Sequence, residues 1–243
     1  MSSLPTRLDK CPLVDALIEI RFESSIVGSA IFGIIYNHIS DDFKGNVTNL
    51  PILQIPEQIR KADPNLCFKP LYRIDSDEYI LQIGDDVLCI SSKIPYVGWK
   101  NFSSRAIELI KKIVEAKIIN KVIRIGHRYV NFFEDDIMDK LTISKPDIKN
   151  YDTNSILIRI DSKDKDNFID TVQITNSATY KEPQGGEILS GSLIDIDSFK
   201  VYEDNYFLEN IKNEIESVHK CEKTMFFSLL KEEFLESLKP SYE

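Results

Sequence analysis

The stretch that most constrains what this chain can fold into is Val122-Ile123-Arg124-Ile125-Gly126-His127-Arg128-Tyr129-Val130-Asn131-Phe132-Phe133, at the middle of the 243 residues. Its β-branched and aromatic residues crowd a helix but pack well on a pleated surface, so it reads as a long strand. Alternation puts Arg124, Gly126 and Arg128 on one face and Ile123, Ile125, His127, Tyr129 and Asn131 on the other. Two arginines flanking a glycine form a flat cationic strip, and the missing side chain lets something approach the backbone closely. A strand this long needs neighbours on both edges and a layer over its apolar face. The rest of the chain supplies both.

Leu13 to Phe22 alternates with Val14, Ala16, Ile18, Ile20 and Phe22 on one side and Asp15, Leu17, Glu19 and Arg21 on the other, the pattern of a half-buried strand. Ser29–Phe43 carries Ile31, Ile34, Ile35 and Ile39 at helical spacing. Asn46–Pro64 is a proline-marked connection with one short helix. Cys67–Ile74, Glu78–Ile83 and Val87–Ser92 are strands separated by turn sequences at 75–77 and 84–86, an antiparallel meander. Phe102, Ala106, Leu109, Ile110, Ile113 and Ile118 then mark an amphipathic helix capped at Asn101 or Ser103. Past the central strand, Ile137–Leu141 reads as a short helix. Asn154–Asp161, Phe168–Asn176 and Glu187–Phe199 read as strands, with Ile156, Ile158 and Ile160 inward. Lys181 to Gly186 is a loop tip. A helix opening near Asp204 shows a stripe of Phe207, Ile211, Ile215, Val218, Met225 and Leu229. Unbroken, it would run on the order of 50 Å, so a break is expected near His219–Thr224.

Both halves therefore follow one grammar. The expected fold is α+β: two tandem β-α-β-β-β-α units, residues 1–120 and 121–243, packed as one globular body. Their mostly antiparallel sheet is backed by long helices, an element order similar to the TATA-box-binding-protein-like saddle or the helix-grip arrangement.

The net charge of −9 argues against a general phosphate-backbone binder, so nucleic acid is not the expected partner. The four cysteines are far apart with no C-x-x-C pair, which points to buried free thiols in a reducing cytoplasm and not to zinc or disulfides. No apolar leader and no membrane-length apolar run occurs. Motifs for phosphate loops, dinucleotides, zinc proteases and nucleophile elbows are missing, and no cofactor or metal is implied.

What remains is a polar sheet face. Ile194 and Ile196 point one way in Leu193–Phe199, so Asp195 and Asp197 point the other. If the apolar sides meet the helices, the outer face collects Glu19, Arg21, Arg124, Arg128, Arg159, Asp195 and Asp197. The bland account is a ladder of cross-strand ion pairs that fixes register. The functional one is a recognition surface, its arginines gripping a carboxylate or phosphate. Asp195 and Asp197 also suit half of a magnesium site that lacks a third carboxylate. His127 is expected as a core histidine, His219 as a helix-surface group between Glu216 and Glu222, and Trp99 as a plug at the end of the core. His127, Asn131, Trp99 and His219 are the candidate supporting residues.

Several of these stretches resemble a sporadically distributed family of prokaryotic proteins of unknown function. Its members carry a P-L-V-E-A-x-x-E-I-R-F-like start, a central R-I-G-L-R-Y-I-N strand, a later L-D-I-D strand and a C-terminal helix with a histidine followed by a phenylalanine. The matches here are Pro12-Leu13-Val14-Asp15-Ala16 with Glu19-Ile20-Arg21-Phe22, Arg124 to Asn131, Ile194-Asp195-Ile196-Asp197, and His219 with Phe226. Trp99 is similar to the family's tryptophan before its first long helix. His127 departs from the usual leucine and Lys231 from a threonine. The resemblance implies no activity, and the family's patchy occurrence resembles that of mobile or defence-associated genes. The expected function is thus a binding or adaptor protein whose partner is another protein. A small-anion-binding protein or hydrolase with a pocket between sheet and helices is the alternative.

Overall fold

The computed structural model describes residues 4–181 and 186–242; the expected loop tip at Glu182–Gly185 lies outside the described residues. The elements run β1 (Arg7–Leu8), β2 (Leu13–Glu23), α1 (Gly28–Ile39), β3 (Asn46–Asn49), a 3-10 turn (Pro51–Gln54), α2 (Glu57–Ala62), β4 (Tyr72–Asp75), β5 (Tyr79–Ile83), β6 (Val87–Ser92) and α3 (Trp99–Glu115). They continue with β7 (Lys121–Phe133), a 3-10 turn (Met138–Lys140), β8 (Leu157–Lys163), β9 (Ile169–Lys181), β10 (Ile188–Val201), α4 (Tyr206–Glu209), α5 (Ile211–Leu229), α6 (Glu232–Ser237) and β11 (Pro240–Ser241). The fold is α+β, and nine strands hydrogen-bond in the order β3-β4-β5-β6-β2-β7-β10-β9-β8, mostly antiparallel, while β1 pairs with β11. No helix among the described residues is long and apolar enough to cross a membrane.

The chain divides into two compact units: Ala16–His127 with Phe199–Val218, called the first, and the remainder, called the second. In the first, Ile18, Ile20 and Phe22 of β2 are buried as their alternation requires. So are Ile31, Ile35 and Ile39 of α1 and Phe102, Ala106, Leu109, Ile110 and Ile113 of α3. These are the i, i+3, i+4 stripes of two amphipathic helices. β6 is buried at every position, between Ala16–Arg21 of β2 and Tyr79–Ile83 of β5.

Three local expectations are corrected here. The strand expected from Cys67 starts only at Tyr72, because Phe68 turns the backbone to φ 55° and the Cys67 amide is held by the Asp63 carbonyl. Helix α3 begins at Trp99 behind Gly98 (φ 86°), not at Asn101 or Ser103. It ends before Ile118, since Lys117 adopts φ 54°.

The core of the second unit joins Val172 and Ile174 of β9, Ile194 and Ile196 of β10, and Phe226, Leu229 and Leu230, with Ile137, Met138, Leu141 and Ile156 closing it. Ile158 and Ile160 pack against it half-buried. Gly191 is dictated by approach: a Cβ there would sit 2.0 Å from the Phe133 carbonyl oxygen. The helix expected over Ile137–Leu141 is a 3-10 turn, opened by the Asp136 carboxylate accepting from the Met138 amide and ended where Leu141 bridges Leu230. Helix α5 runs unbroken through His219–Thr224. The break falls instead at Asn210, which leaves helical geometry at ψ 27° between α4 and α5.

Candidate functional site

The arginines of β7 answer what approaches Gly126. In the first unit the Arg124 guanidinium folds back over that glycine, where a Cβ would lie 2.5 Å from Nη1. The same group donates to Glu19 Oε1 at 2.5 Å and lies 4.2 Å from the centre of the Phe199 ring. Glu19 also accepts from Arg21 Nε at 2.7 Å, and Arg21 covers the Phe68 ring at 4.8 Å. Arg124 is 8% exposed, so it is a buried stacked ion pair and not a surface anchor.

Arg128, in the second unit, differs. It donates from Nε and Nη2 to the two oxygens of Asp195 at 2.7 and 2.6 Å, a bidentate fork, while its side chain stays 42% exposed. Those bonds raise its pKa against the opposing effect of burial, and the charges of Asp195, Asp15 and Asp197 add to the rise. One guanidinium therefore sits among three carboxylates. The expected residues thus fall into two groups, Arg124 and Arg21 around Glu19, and Arg128 with Asp195 and the nearby charge of Asp197.

His127 is wholly buried, its ring edge-on to Trp99 at 5.2 Å. Trp99 is half-buried; its ring meets Phe102 edge-on and its Nε1 donates to Glu216 Oε2 at 2.8 Å. Glu216 is therefore engaged away from His219. His219 is not the helix-surface group its neighbours suggested. Its Nδ1 is shielded, its ring meets Tyr129 edge-on at 5.8 Å, and burial, aided by the Lys223 charge, pushes its pKa down to about 3. Asn131 is buried, and its Nδ2 makes no hydrogen bond among the described residues.

Under α5 the second unit also holds a polar set that the sequence reading passed over. Asp170 of β9 is 4% exposed; it accepts from the wholly buried Ser198 hydroxyl and from the Cys221 thiol at 3.5 Å. Burial raises the Asp170 pKa, and burial beside that carboxyl pushes the Cys221 thiol up to about 12, a proton-holding thiol and not a nucleophile. Glu222 is 1% exposed with neither carboxyl oxygen hydrogen-bonded among the described residues, and burial raises its pKa well above the ordinary value. One turn apart, His219 and Glu222 bring a ring nitrogen and a carboxyl oxygen within 4.8 Å. Those are two donor types that zinc-like cations accept. A signal for Glu222 existed. The α5 stripe skips from Val218 to Met225, and Glu222, four residues after Val218, fills the gap.

All four cysteines are free; Cys89 is buried, Cys67 and Cys221 half-buried, and Cys11 exposed, against the expectation of four buried thiols. A shallow depression in the first unit is lined by Arg60, Lys61, Cys67, Phe68, Asp85 and Asp86, with Arg60 already paired to Asp85 at 2.7 Å. No family model matches the chain, and no curated protein matches it at a significant level.

Proposed function

We propose that the chain is a binding or adaptor protein that recognises another protein through the polar sheet face around Arg128 and Asp195, and that the recognised segment is basic. The observation that carries this is the charge balance there: Arg128 is partly exposed and held among Asp195, Asp15 and Asp197. An incoming carboxylate or phosphate would meet a guanidinium whose fork Asp195 already fills. A lysine- or arginine-rich segment would instead be drawn by the formal charge of −9 over the whole chain. Arg124 and Glu19 support the strand from beneath in this reading and make no contact with the partner.

The finer architecture belongs to the same proposal. β4-β5-β6-β2 and β8-β9-β10-β7 each place their second, third, fourth and first strands in that spatial order, which supports a tandem repeat of one β-α-β-β-β-α unit similar to the TATA-box-binding-protein-like saddle. The motif resemblance supports membership of the prokaryotic family of unknown function, and the free cysteines support a cytoplasmic location.

The alternative, a small-anion-binding protein or hydrolase, draws on Asp170, Ser198 and Cys221, three side chains that bring no positive charge of their own to hold an anion. The test is affinity capture from source cells, followed by binding of Lys/Arg-rich peptides from the captured protein, with wild type against Asp197→Asn and Arg128→Ala. Asp197→Asn should weaken the peptide severalfold, and added salt should do the same. Capture of an unchanged protein set by both variants would overturn the proposal; a co-purifying small anion would shift weight to the alternative.

A further inference from the structure

Strand β8 ends the nine-stranded order, pairing with β9 alone among the described residues. Its register with β9 runs Leu157↔Thr175 to Lys163↔Ile169 without a bulge. Beyond the two ends of that run, the Asn176 amide donates to the Ile156 carbonyl and the Asp164 amide to the Phe168 carbonyl. Hydrogen-bonded pairs alternate in an antiparallel ladder, so Ile158, Ile160 and Ser162 turn their amides and carbonyls to β9. Leu157, Arg159, Asp161 and Lys163 turn theirs to the open edge. These four are also the exposed side chains of the strand, Leu157 at 69%.

An open edge of seven residues without proline or bulge is a template for another strand. The charges on this one select the strand that fits. When β8 lies antiparallel to a second β8 about a two-fold axis, only outward-facing residues can form hydrogen-bonded pairs. Centring the axis on Ile160 sets Arg159 opposite Asp161 twice and Leu157 opposite Lys163 twice. A shift of one residue either way along the axis puts Asp161 against Asp161 with Arg159 against Lys163, or Arg159 against Arg159. Of these three registers, only the first sets opposite charges against each other at Arg159 and Asp161 and opposes no like charges. Within one chain Arg159 and Asp161 already pair at 3.0 Å on the exposed face, so each lies aligned beside the position its partner's counterpart would take.

We infer that β8 is a self-recognition edge: two copies of this chain associate through antiparallel β8–β8 pairing centred on Ile160, with reciprocal Arg159–Asp161 ion pairs setting the register. The contact is isologous, as a two-fold dimer requires.

Sedimentation velocity over a concentration series tests this with Arg159→Asp and Asp161→Arg. Each single variant places like charges opposite one another in its own dimer and should dissociate at least about tenfold more readily than wild type. Mixed together, the two variants should associate again, because one copy then offers two carboxylates to the other's two guanidiniums. Loss of the intrachain pair alone cannot produce that rescue, and an unfolded variant cannot take part in it. Asp161→Pro supplies a second test, since it removes an outward amide and leaves the β9 ladder intact; it should also abolish association. A wild type that stays monomeric at every concentration would overturn the inference, as would a dimer indifferent to these variants or a mixture that shows no rescue.

Discussion

Replacing Glu222 by glutamine isolates the cost of burying an acid that makes no hydrogen bond among the described residues. In the folded state its pKa is raised well above 4.5, first by burial and then by the neighbouring Asp170 charge. A carboxyl with a raised folded pKa holds its proton when the unfolded chain has released it. Its contribution to stability is therefore complete below 4.5 and falls as the pH climbs from there toward the folded pKa. Inside that window the slope is at most about 1.4 kcal/mol per pH unit, so the wild type should lose stability through this group as the pH rises above 4.5. His219 acts with the opposite sign. Its pKa is lowered to about 3, so its contribution is complete above 6.5 and falls as the pH drops below that value. From pH 4.5 to 6.5 the two slopes oppose each other, and above 6.5 that of Glu222 stands alone. Urea unfolding of wild type and Glu222→Gln at pH 5.5, 6.5 and 7.5 reads both. The glutamine variant should gain on wild type as the pH rises from 5.5, by up to about 1.4 kcal/mol per pH unit, and its own stability should rise from pH 5.5 to 6.5 as the histidine slope is unmasked. Parallel pH curves for the two proteins would refute the reasoning, since Glu222 would then be ionised in the folded protein.

Arg124→Ala should destabilise by about 3 kcal/mol in denaturant unfolding, because it takes one of the two arginines from the largely buried charge of Glu19. Arg128→Ala breaks a more exposed pair and should cost about 1 kcal/mol or less, so equal losses for the two would contradict their different burial. Gly191→Ala drives a Cβ against the Phe133 carbonyl, a backbone atom that cannot yield as a side chain would; a loss of about 3 kcal/mol is expected, and a neutral effect would show that β10 can shift. Trp99→Phe keeps the aromatic contacts and deletes the hydrogen bond to Glu216, for a loss of about 1 kcal/mol in thermal unfolding.

Much of this fold was legible because its strands obey period two. Ala16, Ile18, Ile20 and Phe22 fall inward as written, and the meander turns sit where Asp-Ser-Asp and Gly-Asp-Asp place them. The outer positions of Glu19, Arg124, Arg128 and Asp195 could be read, but alternation gives a face and not a distance. It could not say that Arg124 folds back onto Gly126 while Arg128 stays half in solvent. The misplaced groups share one physical cause. Asp170 stands in register with Val172 and Ile174, Ser198 with Ile194 and Ile196, and Glu222 in the stripe of Val218 and Leu229, all polar residues at positions whose neighbours are buried apolar ones. Judging each residue by its own polarity sends it to the surface, whereas its period sends it inside. Backbone geometry sets that period for every residue of an element together, so moving one acid outward would expose its whole stripe. Burial of a strand or helix face is worth several side chains of about 2 kcal/mol each, enough to carry one protonated acid along. Where polarity and period disagree at a single position, period therefore decides the side, as it does for Asp170 and Glu222.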